Sequence, residues 1–447
     1  MSQTQIRPQD LPQLEAQVNE IIEEAKRQGA SACEVSTGLS EGLSVSVREG
    51  EVETVEFNRD QGFSITLYVG QQKGSASTSQ AGTGAVRETV AAALAIARHT
   101  SADDCAGLAE ANLMATTLPD LDLWHPWEIT AEQAIDRALA AEAAAFAADQ
   151  RISKGDGSSV DSWRGLHVYG NSHGFIGGFA GTRHSASCVM IAGTGEQMQR
   201  DYWYDSSRIA AALQSASSIG QQAALRAARR LGARRVPTAN VPVLFAAELA
   251  GSLFRHFTAA ISGGNLYRHS SFLEGALGQK LFPEWLAIDE RPHIPGALGS
   301  AAFDNDGLAT FDKALVKDGV LQSYLLGTYS GRKLNMPSTA NAGGVHNLFV
   351  SHGQDDQAAL IKRMRRGLLV TELMGGGVNL VTGDYSRGAA GFWVENGEIQ
   401  FPVEEVTIAA HLKDIFGNIV AIGSDVEKRG TTFSGSVLIE QMTVAGS

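Results

Sequence analysis

Hydrophobic and polar residues change their spacing several times along the chain, and each change marks an element. Leu14, Val18, Ile21, Ile22 and Ala25 recur at helical spacing. Asp10 can cap that helix, Pro12 fits its first turn, Gln13 completes a capping box and Gly29 ends the run. Spacing then shortens to alternation in CEVSTG, LSVSVREGEVETVEFN and GFSITLYVGQQKGSAST, which predicts strands with hairpin turns at Glu49-Gly50 and Gln71-Gln72. Helical spacing returns near Thr83–His99. A linker with Pro119 and Pro126 leads to a third helix, where Thr130 and Gln133 form a capping box for an Ala-rich run to Asp149. Residues 157–206 read as a β-meander, two helical stretches reach about Gly232, and GARRVPTANVP reads as a domain boundary.

The second half opens with VLFAAELAGSLFRHFTAAI, residues 243–261, a strand running into a buried helix. Glu248 stands there on what should be an apolar face, and His256 follows eight residues later. Further strands are predicted around KDGVLQSYLLG and GLLVTELMG, the second after a helix near Asp356–Arg366. Asn396-Gly397 predicts a type I′ hairpin inside AAGFWVENGEIQFPVEEVTIAA, and the last strand lies near SGSVLIEQMTVAG. Helices packed with antiparallel strands define an α+β chain of two domains, residues 1–232 and 237–447.

Composition narrows the classes. The chain has 447 residues, 43% hydrophobic and 19% charged, which is an ordinary globular composition. Its net charge of −13 argues against nucleic acid as a partner, because such binding rests on neutralising phosphates. Two basic clusters run against that trend: Arg226, Arg229, Arg230, Arg234 and Arg235, then Lys362, Arg363, Arg365 and Arg366. Solvated helix faces are the favoured reading of both. Three scattered cysteines, Cys33, Cys105 and Cys188, form no CxxC and fit a reducing compartment. No apolar leader opens the sequence and no run reaches the ~18 residues of a membrane span, so a cytoplasmic protein without a membrane partner is expected.

Candidate chemistry is sparse. GTGAVRETVAAA opens a helix with GxG but lacks a third glycine, and no GxxxxGK[ST] or GxSxG occurs. Ser, His and Asp are all available in the meander, without a spacing that assembles a triad. His184 and Cys188 share a strand and lie ~13 Å apart when extended. No two of the eleven histidines sit two to five residues apart, so helical zinc pairs are absent. A turn at GNSHG could still bring His167 and His173 together. The glycine-dense block ELMGGGVNLVTGDYSRGAAGFWVENGEI admits two readings, a groove where an extended peptide adds as a strand and a turn-rich connection between strands. The second is favoured.

Several blocks together resemble the TldD/PmbA family, also labelled modulator of DNA gyrase, and within it the PmbA (TldE) branch. They are GEVETVEFNRDQGFSITLYVGQQKGSAST, TSADDCAGLA, DLDLWHPWEI, VYGNSHGFIGGFAGTRHS, VTELMGGGVNLVTGDYSRGAAGFWVENGEIQFPVEEVTIA and SGSVLIEQM, in order along nearly the whole chain. The resemblance implies a two-subunit zinc protease. Its TldD subunit carries HExxxH on the helix that opens the C-terminal half, and a cysteine near its C-terminus completes the site. Carried onto AELAGS, the first histidine falls on Ala247, the glutamate on Glu248 and the second histidine on Ser252, with Gly251 kept. The cysteine falls at or beside Ser434. Alanine cannot ligate zinc and a serine hydroxyl is a weak ligand. Glu248 is then left as a carboxylate for an arginine or a backbone amide, and His256 as a lone imidazole.

What this implies is a non-catalytic subunit without its own cofactor, paired with a zinc-bearing TldD-like chain. Its C-terminal domain would be a curved, barrel-like sheet carrying the degenerate helix. The substrates implied are unfolded or extended peptides, including peptide precursors and antitoxin-type proteins. Gly383, Asp384, Tyr385, Ser386, Arg387 and Gly388 are the candidate substrate or partner contacts, with Asp384 and Arg387 as polar anchors. Two rivals stand beside this reading. One is an independent hydrolase with metal ligands drawn from His173, His184, His346 or His352. The other is a homodimeric peptide-binding scaffold.

Overall fold

The computed structural model describes residues 5–446. Its N-terminal half runs α1 (Leu11–Arg27), β1 (Ala32–Arg48), β2 (Glu51–Val69), β3 (Gln72–Thr78), α2 (Thr83–His99), α3 (Ala131–Ala148), β4 (Ile152–Asn171), β5 (Ile176–Ala192), β6 (Gln199–Ser207) and α4 (Ala216–Arg229). The six strands form one sheet in the order β3-β2-β1-β4-β5-β6, antiparallel throughout. On β1, Val35 packs with α1 and α2 while Val45 and Val47 pack with α3 and α4. Alternate residues of a strand share a face, so both helix pairs lie side by side on one face of the sheet.

Local sequence explains most of these boundaries. Glu49 and Gly50 both take positive φ, 51° and 81°, the type I′ geometry that matches strand twist. The next turn falls at Gly70-Gln71, one residue before the expected Gln71-Gln72, because Gly70 supplies the positive φ of 60°. Thr130 and Gln133 close their capping box on α3 as expected. Asp10 does not cap α1. Pro8–Asp10 form a 3-10 turn, so Asp10 is already helical at φ −85°, whereas a cap needs extended backbone. Its Oδ2 accepts from the Arg7 amide instead, at 2.9 Å. Of the two helical stretches expected before Gly232, only α4 forms; Ala210–Ala212 make a single 3-10 turn.

The C-terminal half runs β7 (Ala239–Phe245), α5 (Ala247–Ala260), α6 (Gly263–Leu266), β8 (Ile288–Glu290), β9 (Lys313–Lys317), β10 (Val320–Leu321), α7 (Thr328–Lys333), β11 (Leu348–Val350), α8 (Gln357–Met364), β12 (Gly367–Met374), β13 (Asp384–Glu395), β14 (Glu398–His411), α9 (Leu412–Gly417), β15 (Ile419–Ile422), β16 (Thr432–Phe433) and β17 (Val437–Ala445). Strands β14, β13, β12, β7 and β17 pair in turn, and β14 pairs back with β17, which closes a five-stranded barrel. Strand β15 adds to β17 outside the ring. Strands β10, β9, β8, β11 and β16 form a separate small sheet.

Strand β7 is apolar without alternation because both of its faces are covered. Val243 and Phe245 join Leu253, Phe254 and Phe257 of α5 in the main core. Leu244 and Ala246 join Leu360, Ile361 and Met364 around α8 on the other side. Asn396 and Gly397 take φ of 53° and 77° and turn β13 into β14, the hairpin their sequence predicts.

The first basic cluster is not a solvated helix face. It lines the seam between the two halves. Arg226 Nε donates to Asp201 Oδ1 at 3.2 Å, Arg230 pairs with Glu372 and Arg235 with Glu405. The guanidinium of Arg229 lies 4.9 Å from the Phe392 ring centre and that of Arg234 3.6 Å from Phe401. These arginines sit beside barrel strands that the sequence pattern did not bring near them. Among the described residues no helix is long and apolar enough to cross a membrane.

Candidate functional site

The two sides of helix α5 differ. Ala250, Leu253, Phe254, Phe257 and Ala260 are fully buried in the core. Glu248, Ser252 and His256 follow at intervals of four and share the other side. Glu248 sits in the first turn, where the helix dipole favours an acid. It accepts a hydrogen bond from Arg226 Nη1 at 2.7 Å. Arg226 is buried and holds Asp201 as well, and Asp201 lies 3.7 Å from Arg230, which pairs with Glu372, so Glu248 belongs to a five-residue ion network spanning the seam.

One turn on, Ser252 is 9% exposed and its Oγ has no hydrogen-bond partner; His256 Nε2 is likewise buried without one. A Cβ placed on Gly251 would stand 3.6 Å from Thr432 Cβ, so the chain that carries Ser434 runs directly past the helix. Ser434 Oγ, itself buried, donates to the Gly435 carbonyl at 3.1 Å. These residues do not fit zinc. Ala247 has no donor atom, Ser252 and Ser434 offer hydroxyls in place of imidazole and thiolate, and the one carboxylate is taken by Arg226.

The histidines of the independent-hydrolase reading are not brought together. His184 Nδ1 lies 3.0 Å from Ser162 Oγ and its Nε2 2.9 Å from the His125 carbonyl, inside the N-terminal sheet. Burial lowers the pKa of His184, so the ring stays neutral in a structural Ser–His pair. His346 Nδ1 lies 2.7 Å from Glu290 Oε1, and His352 Nδ1 lies 2.9 Å from the Gly353 carbonyl. His167 is packed on Phe179 rather than folded back onto His173. Among the described residues no three His, Cys, Asp or Glu side chains are grouped to hold a metal. Cys188 is buried and its thiol is pushed up to about 12 by that burial, which leaves no thiolate for nucleophilic chemistry.

The glycine-dense block is the connection from β12 to β13. Strand β13 is paired on both sides, with β12 and β14, so it offers no free edge for an added strand. The candidate contacts along it divide between two faces. Asp384 and Ser386 are exposed, and Thr382 Oγ1 donates to Asp384 Oδ2 at 2.6 Å. Tyr385 is buried, with its ring 6.0 Å from that of His256 and its hydroxyl pushed up to about 12 by burial. Gly383 has φ 87° and leaves no room for a Cβ beside His411. Gly388 pairs with Met374 in the ladder. Arg387 faces inward and lies apart from Asp384, so the two do not act as one anchor.

Arg387 lines a cavity of about 900 Å³ together with Ser252, Arg255 and His256 of α5. Thr328 of α7, Asp306 and the loop Asn341–Gly344 complete its wall. The glycine pair in AGGV was a faint signal of that loop; nothing in the pattern joined it to α5. Asp201, which secures Arg226, was also missed, since it pairs across sequence without a motif.

The fold recurs closely in solved structures. A crystal structure from Bacteroides thetaiotaomicron, carrying the DNA gyrase modulator name, superimposes with a TM-score of 0.93 at 27% identity and covers 98% of this chain and 100% of that one. The crystal structure of TldE from Thermococcus kodakarensis gives 0.84 at 19% identity over 96% of this chain and 100% of that one, a likeness of fold alone. Sequence profiles of the PmbA/TldA metallopeptidase match in three parts: domain 1 over residues 33–97, the central domain over 124–231 and the C-terminal domain over 238–446. The chain belongs to the PmbA/TldD metallopeptidase family. It is 47% identical over 436 residues to the metalloprotease PmbA homolog of Haemophilus influenzae, covering 97% of this chain and 96% of that one. It is also 47% identical over 446 residues to metalloprotease PmbA of Escherichia coli O157:H7, covering 98% of each.

Proposed function

We propose that this chain is the non-catalytic subunit of a heteromeric zinc metalloprotease, completed by a TldD-like partner that holds the metal. The observation that carries the reading is the state of the motif helix. Ala247, Ser252 and Ser434 supply no zinc ligand set, and Glu248 is bound to Arg226 rather than free to act as a base. A metal-dependent hydrolase needs both an open metal position and a base in reach of its water. Zinc in the partner would supply the Lewis acid; this chain would wall the chamber and hold extended peptides, including unfolded proteins and peptide precursors. The cysteines, unpaired and largely buried, suit a cytoplasmic setting.

The test is zinc content and cleavage of an unfolded protein, measured for the chain alone and mixed with its TldD-like partner. The expected result is no zinc and no cleavage alone, with cleavage in the mixture. One zinc per chain with activity alone would overturn the proposal, and a stable homodimer that never associates with the partner would replace it with the scaffold reading.

A further inference from the structure

We propose that the cavity beside α5 is a carboxylate-binding site, in which Arg387 and Arg255 take the charge of a peptide carboxylate and Ser252, His256 and Thr328 supply neutral hydrogen bonds. The proposal concerns a ligand of this chain alone and shares with the preceding reading only the peptide nature of that ligand.

Inward-turned arginines elsewhere in the molecule are engaged. Arg226 holds two carboxylates, Arg208 donates to the carbonyls of Thr182, Ala297 and Leu298, and Arg332 donates to Leu108 and Glu110. Arg387 differs. Its Nε is buried without an acceptor, and among the described residues neither Arg387 nor Arg255 has an ion pair. A guanidinium carries five donors and no acceptor, and a buried donor left unmade costs about 1–3 kcal/mol.

The same wall holds three more polar atoms without partners: Ser252 Oγ, His256 Nε2 and Thr328 Oγ1. Ser252 is more than nine-tenths buried. Unpartnered buried polar atoms are rare in folded proteins, and four lining one cavity point to a ligand that supplies the acceptors. The one carboxylate in the wall, Asp306, is engaged, with its Oδ2 accepting from the Thr328 amide at 2.8 Å. The local field is therefore positive. His256 responds to it: burial first, then Arg387 and Arg255, hold its pKa below the usual imidazole value.

Size and shape select among anions. A volume of about 900 Å³ is large for a lone inorganic ion and ordinary for an organic ligand. Gly343 and Gly344, with φ of 98° and 118°, keep one wall free of side chains and let a main chain come close. A planar guanidinium pairs with a planar carboxylate through two parallel bonds. A peptide offers that group at its C-terminus or on an Asp or Glu side chain.

The test is fluorescence anisotropy of the purified full chain with three fluorescein-labelled polyalanine peptides: a free acid, its C-terminal amide, and the amide with one internal glutamate. The free acid or the glutamate peptide should bind at least about tenfold more tightly than the plain amide, and whichever does so names the source of the carboxylate. Arg387→Gln should bring the charged peptide down to the level of the plain amide, with thermal unfolding of the variant checking its fold. A second readout needs no variant. The ring resonances of His256 should titrate at higher pH when the charged peptide is bound, because a carboxylate offsets the two arginines. Binding of all three peptides within twofold, no binding, unchanged binding by folded Arg387→Gln, or an unmoved His256 would each overturn the site. Failure to associate with a TldD-like chain would sink the heteromer and leave this site standing; equal binding of the three peptides would do the reverse.

Discussion

At the start of α5, Glu248 meets Arg226, and Arg226 meets Asp201, so each charge in that corner has an opposite within 3.2 Å. One to two turns along the same helix, Ser252 and His256 share a cavity with Arg387, and Ser252 Oγ, His256 Nε2 and Arg387 Nε have no partner. Both regions contain an arginine, satisfied by carboxylates in the first and left without an acceptor at Nε in the second. A corner that satisfies itself is built to hold the halves of the molecule together. A wall that leaves donors open is built for something that arrives later. Neighbouring turns of one helix thus serve different ends: Glu248 belongs to the joint, and Ser252 and His256 stand open.

The contrast breaks first where pairing is most complete. Glu290 is fully buried and accepts from Lys313 Nζ at 2.8 Å, from the His346 amide at 2.7 Å and from Asn341 Nδ2. Burial pushes its carboxyl up, but His346 and Lys313 outweigh that and hold it at about 2. Glu290→Gln strands the Lys313 ammonium and should remove about 3–5 kcal/mol in urea unfolding at pH 7. The sign with pH follows. The folded pKa lies below the unfolded one, so the stabilisation is complete above about pH 4.5 and is lost as pH falls towards 2. Unfolding measured across that window should show a shallower slope for the variant than for the natural chain.

Arg226→Met comes next. It leaves Glu248 without its cation and Asp201, 4% exposed, with only Arg230 at 3.7 Å, and about 2–4 kcal/mol should be lost. A double-mutant cycle with Glu248→Gln should return a coupling of at least about 1 kcal/mol, and additive effects would deny the joint. Glu248→Gln alone should cost about 1 kcal/mol and leave peptidase activity of the mixture with a TldD-like chain within twofold. Loss of a general base typically costs ~10²–10⁴ in rate, so a drop of that size would return Glu248 to the chemistry. The smallest effect is expected at Ser252→Ala, within about 0.5 kcal/mol of neutral, because its hydroxyl makes no bond to lose. A clear destabilisation there would mean that the cavity wall is structural after all.

Elements written by local chemistry were legible in the sequence. Thr83–His99 is helical over the residues that spacing assigned, the box of Thr130 and Gln133 starts α3, and Asn396-Gly397 turns its hairpin. What escaped depends on partners far along the chain. Barrel closure rests on pairs such as Ile408 with Val444, which no window of periodicity contains. The short strands β8, β9 and β11 were too brief to alternate visibly. Asp10 failed as a cap because Pro8 had already started a turn. Arg226 and its neighbours looked like a wet helix face because the barrel that covers them begins only afterwards. At the site, the family resemblance pointed to Ala247, Glu248 and Ser252, and the glycine block pointed to Arg387. That Ser252 and Arg387 meet around one cavity while Glu248 turns to Arg226 needed the fold.

Strand β7 has a consequence in time. Its sheet neighbours are β12 and β17, through pairs such as Leu369 with Leu244 and Val437 with Phe245. Both partners are made long after it, and the region between them holds the small sheet and most of the cavity wall. During synthesis Val243, Phe245 and the aromatic side of α5 must therefore wait, apolar and unpaired, for strands that do not yet exist. Long-range pairing of this kind folds slowly and exposes sticky surface meanwhile. The newly made C-terminal half is accordingly a natural client for chaperones, and slowing translation between β7 and β12 should lower its yield more than the same pause placed inside the N-terminal sheet.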